Sequence, residues 1–259
     1  MEQAPPTIDS PSPALKLLAV GGLLGALALA LAWHDLLPGG YRMRTQFEPD
    51  TVRSLRETEL HALHRLEEFS GSNTSVPADA TLFVGSSTIE RFPLEEIFPG
   101  KPCINRGINN ADLGLLLGTL EASLPRQRLR AAVLYCGSAD LHADKPVAEI
   151  LLGVRQLVQR LRLMQGTNLP VTLIGVMPAR DTSPERAERL RALDRGMMEI
   201  TRDLGLSYVP TLRAPLVDGD LRLNPSLSAD DRHLSPAGYS ILARWLVEDG
   251  GEAGRGLAR

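Results

Sequence analysis

The chain has 259 residues, 43% of them hydrophobic, with a formal net charge of −3 and a pI near 6.0. That length holds one large domain or two small ones and can bury an ample core, while the near-balanced charge excludes the strongly basic surface that nucleic-acid binding needs. With two cysteines, no Gly-rich phosphate loop and no Cys and His set at ligand spacing, the sequence carries neither a disulfide framework nor a metal motif.

In chain order, residues 1–13 are rich in Pro, Ser and acid without apolar periodicity and are expected to form a disordered tail. From Leu17 to Trp33 there is no charge, and we expect a single-pass transmembrane anchor over residues 14–34, with Lys16 snorkelling at one end and Trp33 at the other interface. Ala30 and Ala32 also fit the cleavage site of a signal peptide. The preceding segment is long for a signal and carries Glu2 and Asp9, which favours the uncleaved anchor. Arg42 and Arg44 come after the span while Lys16 alone precedes it, so the positive-inside count by itself places the C-terminal domain on the cytoplasmic side.

Residues 35–78 are assigned to an amphipathic helix and a linker. Val52, Leu55, Ala62, Leu63, Leu66 and Phe69 recur at close to helical spacing, and Ser70 to Ala78 is polar with Gly and Pro. His61 and His64 on that helix are read as solvated or packed side chains, because no third ligand lies nearby.

Residues 79–248 alternate between strands and helices. Apolar runs at Thr81 to Val84, Ala131 to Tyr135, Val171 to Val176 and Leu206 to Val209 are interleaved with helical patterns at Ala111 to Leu124, Pro146 to Met164, Pro184 to Leu204 and Pro236 to Val247. Continuous rather than alternating apolar strands imply a parallel sheet covered on both faces, with ligands beyond the carboxyl ends of the strands. Residues 249–259 are expected to be a flexible tail.

Two stretches at opposite ends of this domain carry chemistry. Gly85-Ser86-Ser87 comes just after the first apolar strand, where a strand-to-helix turn exposes the Ser87 hydroxyl as a nucleophile and aims its N–H at a bound carbonyl. Asp230-Asp231-Arg232-His233 precedes the last helix, and a carboxylate three residues before a histidine can fix its tautomer and leave the other ring nitrogen free as base. That separation favours Asp230 over Asp231.

In these blocks the chain resembles the SGNH/GDSL hydrolase family over roughly Ala80 to Val247. The resemblance implies a three-layer α/β/α, flavodoxin-like fold with a parallel sheet, Ser87, Asp230 and His233 as catalytic residues, and no metal or organic cofactor. The second block, Asn105-Arg106-Gly107, would supply the Gly107 N–H to an oxyanion hole shared with Ser87. The third, Gly137-Ser138-Ala139-Asp140, departs from the family pattern, because Ala139 stands where an oxyanion asparagine is expected. Ser138 and Asn109 are candidates to fill that place or to touch substrate. Arg106 is a candidate for a polar substrate group, or equally for a salt bridge, and His142 is read as a loop residue. The family's sheet order also places a strand between those bearing Cys103 and Cys136, so two buried thiols are expected and no disulfide.

The expected function is therefore a serine esterase or acylhydrolase acting through an acyl-enzyme on Ser87. The alternatives are an O-acyltransferase acting on a cell-envelope glycan and, because of Ala139, a non-catalytic binding module. The expected partners are a glycan, lipid or small-molecule ester and the membrane, with no nucleic acid. Anchored members of the family more often face away from the cytoplasm, so an extracytoplasmic, periplasmic catalytic domain is expected despite the charge count.

Overall fold

The computed structural model describes residues 12, 22–31 and 49–258. The expected tail over 1–13 and the expected anchor over 14–34 lie largely outside the described residues. Within the anchor, residues 22–31 are helical, and no described helix is long and apolar enough to cross a membrane.

Residues 58–259 cluster as one unit around a five-stranded, all-parallel sheet of order β2-β1-β3-β4-β5, with β1 at Thr81–Gly85, β2 at Cys103–Gly107, β3 at Ala131–Tyr135, β4 at Val171–Ile174 and β5 at Ser207–Val209. All five residues of β1 and of β3 are buried, because helices cover both faces. Successive side chains alternate between two apolar layers. Leu82, Val84 and Leu134 pack with helices α1 (Asp50–Ser72), α4 (Leu113–Ser123), α6 (Val147–Gln165) and α7 (Pro184–Leu204). Phe83, Val133, Tyr135 and Ile174 pack on the other side with α8 (Pro236–Asp249) and α9 (Gly251–Leu257). Three short helices, α2 (Ser87–Glu90), α3 (Leu94–Ile97) and α5 (Ser138–His142), come soon after strand ends.

The long helices start and stop where their sequences direct. Ser183 caps α7 by accepting the Arg186 N–H, Pro184 occupies the first turn, and Gly205 ends the helix at φ +60°. Ser235 and Pro236 open α8 in the same way.

Two boundaries differ from the sequence expectation. The amphipathic helix expected ahead of the domain is built into it, since Ala62 and Phe69 of α1 are buried in the core. The C-terminal residues expected to be a flexible tail instead form α9, with Ala253 and Leu257 buried. Gly254 makes this close docking possible, because a side chain there would strike the α8 carbonyls of Leu246 and Val247.

Cys103 lies in β2 and Cys136 just beyond β3, β1 runs between those strands, and both thiols are free. Cys136 is buried and Cys103 half-buried. Burial pushes the Cys103 thiol up to about 11 and the Cys136 thiol up to about 12.

Candidate active site

In an open parallel sheet whose chain runs outward in both directions from β1, the crevice opens at the carboxyl end between β1 and β3. Ser87 lies just beyond β1 there, and Gly137-Ser138 just beyond β3. Gly85 lets the two strand ends close up, since a Cβ on it would collide with the Tyr135 carbonyl oxygen and the Ile89 side chain. Ser86 N–H bonds that same carbonyl at 3.3 Å. The chain then turns directly into α2, where the Ile89 and Glu90 N–H groups bond the Ser86 carbonyl while the Ser87 N–H has no acceptor among the described residues, so Ser87 presents its hydroxyl and its N–H on the crevice side of the sheet.

His233 reaches this point from the loop before α8. Its Nε2 is 3.0 Å from Ser87 Oγ, and its Nδ1 lies 2.7 and 2.9 Å from the two carboxylate oxygens of Asp230. With Asp230 accepting the Nδ1 proton, Nε2 is left to accept the serine proton. Asp230 Oδ1 also accepts the backbone N–H groups of Arg232 at 2.9 Å and His233 at 2.8 Å, and Arg91 lies 3.6 Å from Oδ2. Burial works to raise the Asp230 pKa, but the Arg232 N–H, the His233 ring and the His233 N–H outweigh it and hold the carboxyl well below the usual range. Asp231 pairs instead with Arg180, at 3.7 Å. Tyr239 of α8 donates its hydroxyl to the Thr88 carbonyl of α2 at 3.0 Å, tying the helix beyond the histidine to the one that carries the serine.

The second block is placed differently from the expectation. Arg106 is buried and faces the α1 side of β2, not the crevice. Its Nε donates to Ser123 O at 2.9 Å, its Nη2 to Asn73 Oδ1 at 2.7 Å and Ser72 Oγ at 3.2 Å, and its guanidinium stacks on Phe69. Burial and the neighbouring Arg65 lower its pKa to about 10. Arg106 is thus held by structural partners on the α1 side of the sheet. Gly107 is likewise not a free donor, because its N–H is taken by the Asn105 side-chain oxygen at 2.9 Å.

Along the turn after β2, Ile108 N–H bonds Gly85 O, Asn109 N–H bonds the Glu90 carboxylate, and Ala111 N–H bonds Ile108 O. The Asn110 N–H has no acceptor among the described residues, and Asn110 sits at φ +58°. The half-buried Asn109 side chain also makes no hydrogen bond among the described residues.

In the third block, Ser138 Oγ lies 3.2 Å from Ser86 Oγ, next to the nucleophile turn. Asp140 is buried and structural, accepting from the Leu113 N–H at 3.0 Å and from Lys145 Nζ at 2.8 Å. Ala139 places a methyl group where the family pattern has an amide. His142 ends α5, and burial together with Arg232 and Arg186 lowers its pKa.

A family model for the GDSL-like Lipase/Acylhydrolase family matches residues 90–241. The chain belongs to that family and is a hydrolase acting on ester bonds. Among solved structures it is similar to a protein from Streptococcus pneumonia described as a platelet activating factor, at 25% identity and TM-score 0.69, with 78% of this chain and 99% of that one covered. A GDSL-like lipase from Bacteroides thetaiotaomicron shares 16% identity with TM-score 0.60, over 71% and 95% of the two chains. An acetylxylan esterase from Geobacillus stearothermophilus shares 18% identity with TM-score 0.53, over 68% and 94%. The last two show the same fold. A comparison with curated proteins yields no match.

Proposed function

We propose that this chain is a serine esterase that cleaves carboxylic esters through an acyl-enzyme on Ser87. The observation that carries the reading is the continuous chain of contacts from Asp230 through His233 to Ser87 Oγ. His233 Nε2 takes the Ser87 proton as Oγ attacks the ester carbonyl, the imidazolium is stabilised by Asp230, and the proton passes to the leaving alkoxide. Water, deprotonated by the same nitrogen, then releases the acid. The Ser87 N–H and the unpartnered Asn110 N–H are the donors best suited to hold the developing oxyanion, in place of the Gly107 N–H. The substrates that suit the reading are O-acetyl groups on envelope glycans, short acyl esters and lysophospholipids. Hydrolysis of p-nitrophenyl acetate by the purified chain, abolished in Ser87→Ala, tests it; a Ser87→Ala protein with undiminished turnover would refute it.

Ala139 leaves room for a gain of function. If only two backbone donors serve the oxyanion, Ala139→Asn raises kcat by up to about 10²-fold with little change in KM, because such a donor acts mainly in the transition state. Unchanged kcat in Ala139→Asn, with normal folding, would mean that a third donor does not limit the rate.

The uncharged run from Leu17 to Trp33 supports an anchored enzyme, and the resemblance to anchored family members, against the flanking-charge count, favours an extracytoplasmic catalytic domain. The full chain should then sediment with membranes and resist carbonate extraction. A mature amino terminus just after Ala32 would establish a cleaved signal instead.

A further inference from the structure

Helix α1 precedes every residue matched by the family model, yet from Thr58 onward it touches two segments beside Ser87, helix α2 and the end of β2 with the turn that follows it. His61 Nε2 lies 3.0 and 2.9 Å from the two carboxylate oxygens of Glu90, the last residue of the nucleophile's own helix. Arg65 Nε donates to the Gly107 carbonyl at 3.1 Å and stands 4.0 Å from the Glu90 carboxylate. Thr58 Oγ1 accepts from the Asn110 side-chain amide at 3.1 Å. Glu90 itself accepts the backbone N–H of Asn109, one residue before the N–H that the turn leaves without an acceptor.

We propose that Glu90 is a positioning residue for the esterase reaction, and that His61, with Arg65, positions Glu90. The Asn109 N–H fastened to Glu90 fixes the Ile108–Asn109 peptide plane, the one immediately before the plane that carries the Asn110 N–H. Asn110 holds a left-handed conformation, which asparagine tolerates better than most non-glycine residues, and its N–H direction follows from the Asn109 backbone that this fastening anchors. The Glu90 carboxylate has two oxygens for the donors that converge on it: the His61 Nε2–H, the Asn109 N–H and, further off, Arg65. Because Glu90 and Ser87 share one short helix, the same carboxylate sets the spacing between nucleophile and oxyanion loop. Helix α1 thereby becomes a working part of the active site.

The proposal rests on the esterase reading, so every assay includes Ser87→Ala. Glu90→Gln keeps the shape but turns an NH₂ group toward donors, and should lower kcat about 10- to 100-fold with KM changed by less than about threefold, as expected for a small displacement of a transition-state donor. His61→Ala should lower kcat by about 3- to 10-fold, and His61→Gln, which can again donate to Glu90, should restore most of it. If Ser87→Ala is inactive while Glu90→Gln keeps kcat within about twofold of wild type, or its loss falls mainly on KM, the positioning role is overturned and the esterase reading stands. Should Glu90→Gln fail to fold, the His61 pair decides: equal kcat in His61→Ala and His61→Gln overturns the proposal. Undiminished activity in Ser87→Ala would instead remove the esterase reading.

Discussion

Replacing Ser87 or His233 with alanine is expected to lower kcat on p-nitrophenyl acetate by about 10⁴-fold or more, with circular dichroism and melting temperature close to wild type. The half-buried hydroxyl and ring sit at the crevice and touch each other at 3.0 Å, so neither truncation opens a cavity in the core. The double variant Ser87→Ala with His233→Ala should be little worse than either single one, because the two groups act on one proton. Asp230→Ala should cost less, by about one to two orders of magnitude, since His233 keeps its contact with Ser87 and loses only its orienting partner. Steady-state kinetics on the three variants and the double would check this. A double variant many times slower than both singles would mean that the two side chains act in separate steps.

Gly107→Ala is expected to unfold or strongly destabilise the domain, although nothing about it is chemical. An added Cβ would lie 2.7 Å from the Ile89 carbonyl carbon and nearer still to the Glu90 nitrogen and Cα, all of them backbone atoms that no side-chain rotation can move. Strand β2 and helix α2 would have to separate, and α2 carries Ser87. A cost of about 2–4 kcal/mol is the scale of forced overpacking with backbone displacement, together with loss of most esterase activity. Gly118→Ala supplies the opposite sign. Gly118 lies on the exposed side of α4 with nothing within 4 Å of its Cβ position, so alanine there should stabilise by about 0.5–1 kcal/mol through helix propensity. Urea denaturation of both variants measures the pair. A Gly107→Ala protein as stable as Gly118→Ala would contradict the packing described here.

The contrast between these two glycines also explains what is legible in the sequence. Buried parallel strands and capped helices announce themselves through apolar runs and Ser-Pro starts, so the architecture and the convergence of Ser87 and His233 can be read directly. Gly107 cannot. A glycine after a strand is equally consistent with a donated N–H and with a close backbone approach, and only the packing of α2 on β2 decides between them. Arg106 is ambiguous for a related reason, because adjacent residues in a strand face opposite layers and the sequence of β2 does not say which layer holds the site. Its partners, Ser72, Asn73 and Ser123, lie 34, 33 and 17 residues away.

Contacts such as His61 to Glu90, 29 residues apart, leave no periodic trace at all. His61 and His64, three apart on one helix, have separate partners: His64 lies 3.3 Å from Glu68 on its own helix and His61 reaches across to α2. The C-terminal segment misleads through composition. Its glycines, at positions 250, 251, 254 and 256, suggest flexibility, but Gly250, Gly251, Gly254 and Gly256 each meet close neighbours that a side chain would strike, and they are what lets α9 lie against the domain.

The central claim is that Ser87 is an activated nucleophile, and reaction of the purified protein with a fluorophosphonate probe tests it most directly. Attack of Ser87 Oγ on phosphorus expels fluoride and passes the serine proton to His233, so an activated hydroxyl becomes labelled where an ordinary serine does not. The account predicts a single adduct by intact mass, located on the peptide containing Ser87, absent in Ser87→Ala and strongly slowed in His233→Ala. An unlabelled wild-type protein, or an adduct that persists in Ser87→Ala, would contradict it.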